Sequence, residues 1–257
     1  MCDLLVIGGL GVDIRVRVPA LPLPVADSVT VPPIELRIGN TGAGLALAAH
    51  ALGLRVTVID TIGADPAGQV VRSALARTDI RHVLRPDPLG TRRSVNLVDP
   101  RGRRMSLYDP RGAWAGPPPF DPAELAELTR TARHVHLSIM DWTLGLLPAL
   151  RTGLAPRTAI STDLHDWDGV NDYHRPFRSV ADLVFVSGVA FGDDGEAVVR
   201  DTVSGPLPRT VVVTQGARGA LLAGSDTATH RVPAALPPGA VIDTNGAGDA
   251  FAAGFIA

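Results

Sequence analysis

The sequence contains no lysine; all 24 of its basic residues are arginine. A Walker A loop needs a lysine on the phosphates, so the common P-loop nucleotide hydrolases are excluded, as is Schiff-base chemistry through a lysine amine. Cysteine is nearly as scarce. Cys2 stands alone, which excludes a disulfide framework and any cysteine metal cluster. Aromatic residues make up only 4%, so platforms for stacking bases are few. A formal net charge of −2 is the wrong sign for a nucleic-acid binder, which would carry a basic stripe, and no nucleic-acid partner is expected. No apolar run approaches the roughly 20 residues needed to span a bilayer. Asp3 stands where a signal peptide carries positive charge, so the expectation is a cytoplasmic protein with no membrane partner.

What is present suits one large α/β domain: 257 residues, 46% of them hydrophobic. "LLVIGG" (4–9) is an apolar run closed by glycines, as in a buried parallel strand. From Val12 to Ile38 the text alternates apolar and polar residues and is broken by prolines, which reads as exposed or edge β-structure. "TGAGLALAAHALG" (41–53) predicts a small-residue helix stopped by Gly53, followed by strand "RVTVIDTIG" and helix "DPAGQVVRSALART". That strand–helix alternation is the signature of a doubly wound, mostly parallel sheet. A second alternating patch, 91–108, turns at "DPRG". Two separated β-patches predict one small sheet, at about 12–38 and 91–110, lying as a lid over a site on the main sheet. Further strands are expected at "HVHLSI", "TAISTDL", "DLVFVS", "TVVVTQG" and "GALLAG", with helices near Leu144–Leu150 and Glu196–Thr202.

The strongest chemical signal is "DTNGAGDAF" (243–251). Gly246, Ala247 and Gly248 can present successive backbone N–H groups at a helix N-terminus, an anion nest that needs no lysine. Asp249 beside such a nest would repel a phosphate. It makes sense if it accepts the proton of an incoming hydroxyl while the nest stabilises the transferred phosphoryl group. The plainer reading is a helix start with a favourable first-turn acid. On pattern alone the two stand level.

The motif resembles the C-terminal signature of the ribokinase-like (pfkB-type) carbohydrate kinases. Other segments agree in order: "VIGGLGVD" with its substrate-binding aspartate, here Asp13; "IGNTGAGLALAAHALG"; "TIGADPAGQVV"; "YDPRGA" at the lid; and "VVVTQGARGALL" under the nucleotide. The resemblance implies an ATP- and Mg2+-dependent kinase acting on a hydroxyl of a sugar or sugar-like compound. Asp249 would be the base and Gly246–Ala247–Gly248 the anion hole. Asp13, Gly39, Asn40, Gly44 and Arg111 would face the acceptor. Ser187, Thr214, Gly216, Gly219 and Asn245 would serve the nucleotide, and Asp243 a monovalent cation. Lid strands in this family can mediate dimers, so a homodimer through the lid is a further expectation. Relatives continue past the last helix with elements that line the adenine pocket, which the resemblance leaves incomplete here.

The departures carry information too. Gly39 and Asn40 stand where the family usually has two glycines, and Gly44 where it has an asparagine that binds a substrate hydroxyl. Losing that amide removes a donor and an acceptor used for ribose or fructose. Ser187 and Ala190 replace an N-x-x-E pattern that organises magnesium, which implies a metal held differently. Arg103, Arg104 and Arg111, in or near the lid, could receive a substrate phosphate or carboxylate, or could simply be solvated. His165, Asp166, Asp168 and His174 lack any recognised ligand spacing and read as a polar loop. Three readings compete with a sugar kinase. A dinucleotide-binding oxidoreductase fails because the fingerprint begun at Gly9 demands glycine at Ile14. A nucleoside kinase finds little support in the aromatic content, although Trp114 and Trp142 leave room for stacking. A catalytically weak sensor is favoured by Gly44, Ser187 and Ala190 and opposed by Asp249.

Overall fold

A computed structural model of the chain describes residues 2–111, 114, 116–153, 158–165, 167–191, 195–203, 207–225, 228–236, 239, 241 and 243–257. The first apolar run is strand β1 (Cys2–Ile7), and the alternating text after it gives β2 (Gly11–Arg17) and β3 (Glu35–Gly39). Helix α1 (Thr41–Ala51) follows, and Gly53 beyond it takes φ 88°, the left-handed conformation of a helix stop. Next come β4 (Val56–Ile62) and α2 (Pro66–Leu75), the latter capped by Asp65, which accepts from Gly68 N at 2.7 Å. Then β5 (Arg81–Pro86), β6 (Arg93–Val98) and β7 (Arg104–Asp109) complete the first half.

The second half runs α3 (Pro122–Arg130), β8 (Ala132–Leu137), α4 (Asp141–Leu144), α5 (Leu147–Gly153) and β9 (Ala159–Asp163). It continues with α6 (Arg175–Val180), β10 (Leu183–Ser187), α7 (Gly195–Thr202), β11 (Thr210–Thr214) and β12 (Ala220–Gly224). β13 (His230–Val232) and α8 (Ala247–Ile256) end it. The single helix expected near Leu144–Leu150 is two. Gly145 ends α4, and Pro148 sits in the first turn of α5, where a missing N–H costs nothing.

The chain divides into two compact units, one of Met1–Gly8, Gly116–Leu236 and Ile256, the other of Gly9–Ala115, Pro237–Phe255 and Ala257. In the first, seven strands lie in the order β13-β12-β11-β10-β9-β8-β1. β1, β8, β9, β10 and β11 are parallel, and β12 and β13 add an antiparallel edge. Leu4, Leu5, Val6 and Ile7 are fully buried, which is why β1 reads as an uninterrupted apolar run.

The second unit holds the parallel pair β4–β5 with α1 and α2, and the small sheet β3-β2-β6-β7. β2 joins the two halves of that sheet, antiparallel to β3 and parallel to β6. Its faces differ. Asp13 pairs across with Ser94, and Ser94 and Asn96 are buried. On the other face Leu36, Ile14, Val95 and Leu107 form one cross-strand apolar row whose outer members are 56% and 51% exposed. Alternation here marks a sheet whose buried side is polar, the reverse of the usual pattern.

Candidate active site

The site is built where α8 begins, in the second unit. Gly246 caps the helix at φ 75°, a conformation a side chain would strain. The first intrahelical bond runs from Ala250 N to Gly246 O at 2.9 Å, so the N–H groups of the preceding turn have no carbonyl four residues back. Of the three expected donors, Ala247 N is engaged locally with Thr244 O at 3.2 Å. Beside Gly248 there is open space, with no atom within 4 Å of where a β-carbon would stand. A positive helix end with unhindered backbone fits an anion such as a phosphate.

Asp249 lies in the first turn of α8, and its carboxylate rests against α1 at Gly44. A β-carbon on Gly44 would collide with it. The glycine that interrupts the family pattern is thus the space the Asp249 carboxylate fills.

The other expected acceptor residues lie in the same unit. Asp13 on β2 accepts from Ser94 Oγ at 2.5 Å and from Asn245 Nδ2 at 3.4 Å. Gly39 is glycine because the Asp13 carboxylate occupies the position of its missing side chain. Asn40 takes φ 68°, and its amide packs over Gly11. Its Nδ2 is buried with no partner among the described residues, so a donor is left for a ligand oxygen.

The lid arginines are mostly committed within the protein. Arg103 donates to Asp99 Oδ2 and Leu21 O, and Arg111, at φ 67°, donates to Asp109 and to Leu89 O. Arg104 Nη1 instead donates to Asn245 Oδ1 at 2.8 Å, so the lid strand holds the loop before α8. Arg15 Nη1 lies 2.7 Å from Asp243 Oδ2. Arg15 and Ser94 were not singled out in the sequence. Their place two residues after Asp13 and on the neighbouring strand is a signal only once the register is known.

Of the residues expected at the nucleotide, Ser187, Thr214, Gly216 and Gly219 lie in the first unit, whereas Asn245 lies in the second, on Asp13 and Arg104. Ser187 ends β10 beside Thr214, the last residue of β11. Thr214 opens the turn to β12, in which Gly216 and Gly219 take φ 57° and 91° and Gln215 N donates to Gly219 O at 2.7 Å. Gly216 faces open space, whereas a β-carbon on Gly219 would collide with Val232 O. Trp142 is buried against Phe120 and offers no face for stacking. Asp168 caps its own loop at Val170 N and Asn171 N, and His174 packs on Trp167, while Asp166 lies outside the described residues. Among the described residues no three His, Cys, Asp or Glu side chains gather to hold a metal.

The chain superposes on the microbiome-derived acarbose kinase Mak1 with a TM-score of 0.87 and 45% identity, covering 99% of this chain and 84% of that one. It superposes on ribokinase from Giardia lamblia with a TM-score of 0.83 at 17% identity, covering 99% and 82%. The fold is therefore ribokinase-like. In sequence it is 42% identical over 258 residues to acarbose 7(IV)-phosphotransferase of Actinoplanes sp., covering 99% of this chain and 84% of that protein. Residues 179–257 match the family described as pfkB family carbohydrate kinase. The chain belongs to the pfkB family of carbohydrate kinases, phosphotransferases with an alcohol group as acceptor. ATP use follows from that membership. No helix among the described residues is long and apolar enough to cross a membrane.

Proposed function

We propose that the chain transfers the γ-phosphoryl group of ATP to a hydroxyl of a sugar or sugar-like acceptor, with Asp249 as general base and the Gly246–Ala247–Gly248 backbone as anion hole. The observation that carries the reading is the seating of the Asp249 carboxylate against Gly44, at the glycine-rich start of α8 and in one unit with Asp13 and Asn40. Asp249 takes the acceptor hydroxyl's proton as its oxygen bonds to the γ-phosphorus; the bond to the bridging oxygen breaks and ADP leaves. The positive end of α8 stabilises charge on the transferred group. Asp13 accepts from a second acceptor hydroxyl, and Asn40 Nδ2 donates to a substrate oxygen. Magnesium, when bound with the nucleotide, neutralises its phosphate oxygens, and Ser187 stands at the position that helps organise it in relatives.

Two relatives above 40% identity carry acarbose in their names, which makes an acarbose-like oligosaccharide the first acceptor to try. Gly44 in place of an amide supports an acceptor other than ribose or fructose. ADP release on a panel of acarbose, maltotriose, ribose, fructose and adenosine tests this. Turnover confined to carbohydrate supports it, and turnover with adenosine alone would turn the reading to a nucleoside kinase.

The apolar row of the lid sheet, Leu36–Ile14–Val95–Leu107, supports a homodimer closed through the lids. Light scattering should give a dimer for the parent chain and a monomer for Leu107→Glu; a monomeric parent chain would contradict it.

A further inference from the structure

Asp13 and Arg15, two residues apart on β2, project from the same face of the lid sheet. Both meet the loop that leads into the glycine-rich helix start: Asp13 through Asn245 and Arg15 through Asp243. Asp243 shapes that loop, since its Oδ1 accepts from Asn245 N at 2.8 Å in an Asx turn. Its Oδ2 lies 2.7 Å from Arg15 Nη1, a charge pair without hydrogen-bond alignment, with side chains only 16% and 14% exposed. Glu35 Oε2 stands 3.9 Å from the same nitrogen and 2.6 Å from Arg37 Nη2. The guanidinium is therefore held between two carboxylates, and Arg37 balances the outer one.

A monovalent cation was expected at Asp243. The described side chains around it do not fit one. A half-buried carboxylate needs a matching charge, and here it already has one. An alkali ion bound to Asp243 would face a guanidinium already in contact with that carboxylate. Arginine suits the role because its charge is permanent and weakly hydrated, so burying it costs less than burying a compact ammonium.

We propose that Arg15 is a built-in cation. It takes at Asp243 the place of a monovalent ion, holds the loop that presents Gly246 to Gly248, and frees phosphoryl transfer from any need for potassium or sodium. Arg15 is a positioning residue acting through Asp243, and the inference rests on the reading of this loop as the anion hole.

The test measures phosphoryl transfer by the full chain in potassium, sodium and tetramethylammonium chloride at equal ionic strength, with melting temperatures taken in parallel. The parent chain should turn over at one rate and melt at one temperature in all three salts. Arg15→Met should lose about tenfold in tetramethylammonium, the size of a typical coupling between sites, and recover in part with potassium. Potassium should also raise the melting temperature of that variant alone. Asp243→Asn should make the loss of Arg15 nearly silent, because the partner of the charge is gone. A parent chain strongly stimulated or stabilised by potassium overturns the proposal, and so does an Arg15→Met variant that stays active and indifferent to salt. If Arg15→Met fails to fold, the parent salt series decides. If no salt supports transfer, the kinase reading falls instead and the parent melting temperatures decide on Arg15.

Discussion

The Asp249 carboxylate and Gly44 occupy complementary space: the acid stands where any side chain on residue 44 would have to go. The family pattern that the sequence resembles has an asparagine at that position. Here the position is emptied, and the proposed base is seated directly on the backbone of α1. The departure at Gly44 and the glycine-rich motif that carries Asp249 are therefore one arrangement.

Gly44→Ala should separate activity from stability. Alanine in a helix interior is favoured over glycine by about 0.5–1 kcal/mol, so α1 itself gains. The added methyl must displace the Asp249 carboxylate, and a misplacement on the order of 1 Å at a reacting group costs about 100-fold in rate. Expected is a kcat lower by that order with the melting temperature little changed. An unchanged kcat would mean that the seat is incidental.

Asp13→Asn should act on the acceptor. Asp13 draws together Ser94 and Asn245 and, in the proposed site, a substrate hydroxyl. Hydrogen bonds to charged groups contribute about 1.5–3 kcal/mol, so kcat/KM for the acceptor should fall about 10- to 100-fold. KM for ATP should hardly move. A loss shared equally by both substrates would point to a folding role.

Arg92 and Asp60 form a buried pair at 2.7 Å, 5% and 0% exposed, next to the start of β2. Arg92 also donates to Leu10 O and Thr61 O, and Asp60 Oδ2 accepts from Leu10 N. Arg92→Met removes the guanidinium from a buried carboxylate, and breaking such a pair costs about 3–5 kcal/mol. Denaturant unfolding should show a loss of that size; a loss under about 1 kcal/mol, the worth of a surface pair, would contradict the burial.

His134 and His136 share one hydrogen-bond partner on β9, Ser161 Oγ, at 2.7 and 2.9 Å. Burial pushes His134 down to about 4, against the pull of Asp182. Burial, with His134 and His165 nearby, pushes His136 down to about 3. Their unfolded value is 6.5. Below it the unfolded chain binds protons that the folded chain refuses, so their stability contribution is complete above 6.5 and is lost as pH falls toward 4 and 3. Each histidine should contribute a slope of about 1.4 kcal/mol per pH unit in that window. Urea midpoints at pH 7, 6 and 5 should fall accordingly, and His134→Gln with His136→Gln should flatten the decline. Midpoints independent of pH would contradict the burial.

How much of this was legible depends on what each residue's role requires. β1, α1 and α8 declare themselves locally, through an apolar run, a small-residue helix with its glycine stop, and a glycine-rich cap. The lid was legible as two alternating patches because each keeps a period of two. β5, "RHVLRP", went unseen because its charges mask the period, and its place comes from pairing with β4. α3 was missed although Asp121 and Pro122 mark its start; Asp121 accepts from Glu124 N at 2.8 Å. The site divides in the same way. Asp249 and Asp13 lie in recognisable motifs, whereas Arg15, Ser94 and Arg104 acquire meaning only from the β2–β6–β7 register and from a contact with a loop more than 130 residues further along the chain.

The measurement that bears most directly on the central claim is single-turnover phosphoryl transfer to the best carbohydrate of the panel by the parent chain and by Asp249→Asn. Asparagine keeps the size of the side chain beside Gly44 and removes its basicity. The account predicts a chemical step slower by about 100-fold or more, the usual worth of general-base catalysis, with acceptor binding preserved. An Asp249→Asn chain that transfers phosphate at the parent rate would contradict it.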